Sequence, residues 1–119
     1  GGATSKRAAM RWLGVLMVWV AAPAMADGWA RLDDAGIAAL LTDARVEYSA
    51  AWQEFRASGR TLYDAGQPSW GYWRVENGAY CSQWPPSADW ACYAVEADGA
   101  GGVRFIGAAG DISEGVIVE

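Results

Sequence analysis

The chain reads as a mostly β protein: an antiparallel meander, or a small curled, barrel-like sheet, with one short N-terminal helix and one disulfide. Three observations carry that reading. Short runs alternating apolar and polar residues recur from Arg45 to Val118, separated by turns rich in Gly, Asn and Pro. Asn77-Gly78 is a strong two-residue hairpin signal, because both residues tolerate positive φ. Cys81 and Cys92 flank a second turn at Pro85-Pro86, which sets them facing each other across a hairpin.

The N-terminal segment has the three parts of a secretory signal. Lys6, Arg7 and Arg11 form a positive region, and the 11 residues from Trp12 to Ala22 carry no charge. Pro23 then breaks the helix, and Ala24-Met25-Ala26 offers small residues at both specificity positions of a signal peptidase. Cleavage is expected between Ala26 and Asp27. The alternative is an uncleaved anchor holding a small accessory subunit on the membrane. A spanning helix needs about 20 apolar residues, whereas Trp12 to Ala26 supplies 15 with a proline inside.

Cleavage leaves 27–119, a single β-rich domain of 93 residues expected in the periplasm or secreted. It carries six arginines against 14 acids, no lysine and no histidine, for a net charge of −8. So acidic a surface argues against nucleic acid or an anionic membrane as partner, since both need clustered cations. The 13 aromatic residues that remain are a heavy load for this size.

Residues 33–43 predict a short helix. Asp33 or Asp34 is suited to cap it, and Leu32, Ile37, Leu40 and Leu41 gather on one side as a lid for one end of the sheet. Strands follow at Arg45–Tyr48, Trp52–Arg56, Thr61–Asp64, Gly71–Glu76, Tyr80–Trp84, Trp90–Glu96, Val103–Ile106 and Ile112–Val118. With so few residues the sheet must curl on itself or cover one face with the helix to bury enough apolar area.

The two turns predict a register. Asn77-Gly78 sets Val75 opposite Tyr80, Arg74 opposite Cys81 and Trp73 opposite Ser82, and the cysteines set Tyr80 opposite Tyr93. Alternation then places Trp73, Val75, Tyr80, Trp84, Tyr93 and Val95 on one apolar face, expected to be core. The other face holds Trp70, Tyr72, Arg74, Cys81, Trp90 and Cys92.

A Cys81–Cys92 disulfide suits an exported chain, and closing about 12 residues stabilises by roughly 3 kcal/mol. Without Cys-x-x-Cys spacing or histidine, redox exchange and His-based nucleophilic catalysis lack their residues. With the cysteines bonded, zinc sites of Cys and His are excluded as well, and no cofactor is expected. The alternative function, a carbohydrate-active hydrolase with paired carboxylates, would draw on Glu54, Asp64, Glu76 and Asp89. Asp98 to Gly102 and Gly110-Asp111 read as hairpin turns, with too few acids for a calcium loop and neither the basic residue nor the following helix of a phosphate loop. Trp70, Tyr72, Arg74 and Trp90 form the candidate binding surface, because aromatics beside arginine suit interface hot spots and flat indoles stack on sugars. The competing reading makes these four a second small core around the disulfide.

Gly71-x-Trp73, Gly78-x-Tyr80-Cys81, Trp84-Pro85-Pro86 and Trp90-x-Cys92-Tyr93-x-Val95 together resemble a pattern in small exported alphaproteobacterial proteins, grouped as domains of unknown function. Phe55-x-x-Ser58-Gly59-x-Thr61-x-Tyr63 fits the same type. The resemblance implies a periplasmic β-rich domain with a disulfide and supplies no catalytic residues. The expected function is a non-enzymatic envelope module that binds a protein partner or a small ligand.

Overall fold

Each pairing named above for the two turns is present in a computed structural model of the chain, which describes residues 28–118. The expected signal segment and its cleavage junction lie outside the described residues. Strand β1 is Ala30–Arg31, helix α1 Asp34–Leu41, β2 Ala44–Glu47, β3 Trp52–Phe55 and β4 Arg60–Asp64. Then come β5 Pro68–Glu76, β6 Ala79–Gln83, β7 Trp90–Ala97, β8 Gly102–Ile106 and β9 Ile112–Val118.

Strands β2 to β9 pair in chain order, every pair antiparallel, and β9 returns to pair with β2. The meander therefore closes into an eight-stranded barrel. Closure gives the alternating strands an inside and an outside. The apolar face predicted from the turns is the inside.

Two elements depart from the sequence reading. β5 starts at Pro68 rather than Gly71, since Leu62, Tyr63 and Asp64 of β4 pair with Trp70, Ser69 and Pro68. A proline is tolerated there because it is the strand's first residue. β1 has no hydrophobic pattern to announce it. It forms because β6 follows β7 only from Trp90 to Tyr93, leaving the far half of that edge open. Ala30 and Arg31 fill it opposite Ala97 and Glu96, and Leu32 N donates to Val95 O at 2.9 Å.

Helix α1 closes one end of the barrel. Asp33 is its cap, accepting from Gly36 N at 2.8 Å. Asp34 is free for a different task and accepts from Gly78 N at 2.5 Å, tying the helix to the Asn77-Gly78 turn. Asp43 anchors the other end: its N–H reaches Phe55 O at 2.6 Å, and its carboxylate takes Ala57 N at 3.1 Å. Ile37 and Leu41 are fully buried in the lid and belong to one core with Val46, Phe55, Val95 and Val103. Each such side chain stabilises the fold by about 1.5–3 kcal/mol. Phe55 is the centre of this half, edge-on to Trp73 at 5.6 Å and to Tyr80 at 5.5 Å.

Candidate functional site

Antiparallel alternation sends the turns to opposite ends of the barrel. The β3–β4, β5–β6 and β7–β8 turns lie at the end that α1 covers. The loops after β2, β4, β6 and β8 surround the other end, where a cavity of about 820 Å³ opens into the barrel. Eight strands give an interior that is either filled by side chains or able to hold one small ligand. Here the lid half is filled and the other half is not.

Gln53, Tyr80, Ser82 and Phe105 form the deep part of the cavity, with Tyr48, Tyr63 and Tyr93 on its walls. Trp84, Pro85, Trp70 and Asp111 come to the mouth from three different loops or strand ends. The inward alternation of β4, β6 and β7, with Tyr48 directly after β2, thus brings four of the chain's five tyrosines into one lumen. Tyr72 is the fifth and lies outside, 42% exposed.

A buried amide organises the floor. Tyr48 donates its hydroxyl proton to Gln53 Oε1 at 3.0 Å. Gln53 Nε2 donates to Thr61 Oγ1 and to the Tyr80 oxygen, each at 3.0 Å. Thr61 has already given its proton to Glu54 O at 2.7 Å, so toward Gln53 it acts as acceptor. That commitment fixes which way the amide points. Burial pushes the Tyr80 and Tyr48 hydroxyls above the ordinary phenol value, and for Tyr48 the neighbouring Tyr80, Tyr63 and Tyr93 add to the effect. The Tyr48 and Tyr80 phenols therefore stay protonated at neutral pH.

The mouth depends on a glycine. Gly71 faces inward on β5, and a β-carbon there would stand 2.6 Å from both Gln83 O and the Trp84 indole. Trp84 uses the space to lie across β5, donating Nε1–H to Ser82 Oγ at 3.1 Å and meeting Tyr63 edge-on at 6.1 Å.

The residues singled out in the sequence fall into three places. Cys81 and Cys92 are bonded, directly opposed on β6 and β7 with Cα atoms 4.0 Å apart, on the outer surface. Trp70 and Tyr72 are 44% and 42% exposed, and the Arg60 guanidinium lies about 5 Å over both rings. Arg74 lies 3.9 Å over the half-buried Trp90, a stack that spans from β5 to β7 across β6. Cys81 sits on the strand beneath that stack and is fully buried although it points outward. Only Trp70 of the four also borders the cavity.

The acids weighed for hydrolysis are dispersed. Glu54 pairs with Arg56 at 2.6 Å and with Arg45 at 3.5 Å, and Glu76 pairs with Arg74 at 2.8 Å. Asp64 accepts from Gly66 N at 2.8 Å, Asp89 lies in the β6–β7 loop, and none of the four lines the cavity. Among the described residues, no group of three or more His, Cys, Asp and Glu is placed to hold a metal ion. No described helix is long and apolar enough to cross a membrane.

The sequence reading missed Gln53, and of the inward tyrosines it placed only Tyr80 and Tyr93, on the core face; Tyr80 does belong to the core and Tyr93 packs against it. The available signal was the tyrosine hydroxyls: four tips at inward positions need partners that an all-apolar core would not provide.

Comparison with protein-family models, with curated proteins and with solved structures found no match to this chain.

Proposed function

We propose that the protein is a non-enzymatic exported module that binds a small ligand inside the open end of its barrel. The observation that carries this reading is the cavity of about 820 Å³ above the Gln53–Tyr80 floor. Its volume is that of a small-molecule site, and its lining has the matching character of aromatic walls with a few placed polar groups. The floor is preorganised by the Gln53 hydrogen bonds, so a ligand need not order it on entry. The signal-like N-terminus supports export, and the Cys81–Cys92 bond is compatible with an oxidising compartment.

The test is native mass spectrometry of the oxidised protein after incubation with a small-molecule extract of bacterial envelopes. Ser113 shares the inward face of β9 with its partner Phe105 and borders the mouth. Ser113→Trp should fill the entrance without touching the lid-end core. A one-to-one adduct on the wild type that is missing from Ser113→Trp, with melting unchanged, is the expected result. An adduct retained equally by both proteins would place binding elsewhere.

A second reading rests on the exposure of Trp70 and Tyr72. With Arg74 and Trp90 they would form the centre of a protein-binding surface on β5 and β7. Replacing Trp70 and Trp90 together by alanine should then abolish capture of an envelope protein while leaving the fold intact. A collapse in melting temperature would instead show the pair to be structural.

A further inference from the structure

We propose that the ligand of this cavity is an organic cation, with its aromatic or apolar body among the lumen tyrosines and its positive group at the mouth. The inference rests on the lumen being the binding site and adds the charge of what enters it.

An anion finds no positive charge there, only tyrosine and serine hydroxyls. Of the six arginines among the described residues, none lines the cavity. Five stack on aromatic rings: Arg45 lies 4.0 Å over Trp52 and Arg104 4.1 Å over Trp29, with Arg56, Arg60 and Arg74 over Trp70 or Trp90. A carboxylate or phosphate taken into this lumen would lose its water with no counter-charge, a penalty of several kcal/mol.

A cation meets the opposite situation. The faces of tyrosine and tryptophan rings are the negative part of their quadrupoles, and they attract ammonium groups within about 6 Å. Tyr63, Tyr93 and Trp84 present such rings from the walls to the mouth.

Charge around the entrance has one sign. The charged residues in the four open-end loops and directly flanking them are Glu47, Asp64, Asp89 and Asp111, all acidic, of which Glu47 pairs with Arg45 at 3.7 Å and adds little. Asp111 borders the cavity itself. Glu114 borders it too, but it pairs with Arg104 across β8 and β9 on the outer side and adds little. Four of the arginines, Arg45, Arg56, Arg60 and Arg74, sit toward the end that α1 closes. Acids accompany them there, among them Asp33, Asp34, Asp43, Glu54 and Glu76, so what sets the open end apart is that its loops carry acids and no arginine, a field that draws cations. The cavity carries the site, and the acids decide the sign.

Isothermal titration of the oxidised protein with three probes of similar shape tests this. The probes are meta-hydroxyphenyltrimethylammonium, its uncharged isostere meta-tert-butylphenol, and the anion meta-hydroxybenzenesulfonate. The cation should bind about ten-fold more tightly than the isostere, with the anion weakest. Asp111→Asn should weaken the cation about five-fold and leave the phenol unchanged, a difference that added salt should reduce. If the phenol binds as well as the cation, the charge inference is overturned while the lumen remains a binding site. If no probe binds, both the inference and the lumen reading fall.

Discussion

The Trp84 indole occupies the space that a side chain at Gly71 would need: a β-carbon at position 71 would stand 2.6 Å from Trp84 Cε3. Gly71 is buried on β5 and Trp84 follows β6, so one missing methyl group sets how the mouth of the barrel is built. The same β-carbon would meet the Gln83 backbone carbonyl, which has less room to yield than a side chain. Gly71→Ala should therefore destabilise by about 1–3 kcal/mol through overpacking. It should also displace Trp84 from Tyr63. Urea unfolding measures the first effect, and near-ultraviolet circular dichroism of the indole reports the second.

Gln53 is the only amide side chain in the floor and satisfies two tyrosines and a threonine at once. Gln53→Leu should cost about 2–4 kcal/mol, since it leaves several buried polar groups without a partner. Tyr48→Phe removes one bond of the set and should cost less. A double-mutant cycle over the two substitutions should return a coupling of about 1 kcal/mol, and additivity would show that the bond contributes nothing.

The raised phenol values make the fold sensitive to alkali. Tyr48 and Tyr80 ionise less readily in the folded protein than in the unfolded chain, because burial disfavours the phenolate. The unfolded chain therefore releases these protons first, and stability must fall as pH rises. Their contribution is fully present below the unfolded phenol value of about 10 and is lost as pH climbs from there toward the raised folded values. Each tyrosine adds a slope of about 1.4 kcal/mol per pH unit in that window. Urea unfolding at a series of alkaline pH values should show the decline, and it should be shallower in Tyr48→Phe.

Cys81 and Cys92 close a separation of 11 residues on the outer face, away from the lumen. Reduction should lower stability by roughly 3 kcal/mol, by freeing the unfolded chain. Because the lid-end core and the Gln53 network are untouched, the reduced protein should keep its ligand affinity at temperatures where it remains folded. Parallel melting and titration of the oxidised and reduced forms check both statements.

How far the sequence reached is instructive at particular residues. Asn77-Gly78 and the cysteine pair were enough to write the register of β5, β6 and β7, because a two-residue turn and a crosslink each allow few alternatives. Once Val75 opposed Tyr80 and Tyr80 opposed Tyr93, inside and outside followed for the whole hairpin. Closure of the barrel was left open, since nothing local marks the return of Val116 and Ile117 of β9 to Glu47 and Val46 of β2. β1 was not legible either. Its two residues pair only because β6 leaves part of β7 uncovered, a tertiary fact with no pattern of its own.

The candidate site was legible in a different measure. Trp70, Tyr72, Arg74 and Trp90 were placed correctly on the face away from the core, and their exposure is now specified. The lumen could not be foreseen. Alternation assigns Tyr48, Tyr63 and Gln53 to the inward face, but it does not say whether that face meets other side chains or an open space. That depends on the lid filling one end only, and on how far Phe55 and Trp73 extend toward the other.

The five tyrosines divide between the two candidate surfaces, and this division allows the most direct test. A protein labelled selectively at tyrosine should give aromatic resonances for Tyr48, Tyr63, Tyr80 and Tyr93 from the lumen and for Tyr72 from the outer surface. On titration with whichever of the three probes binds, the account predicts that the four lumen signals shift while Tyr72 stays in place. A shift confined to Tyr72 would contradict it and assign binding to the outer face.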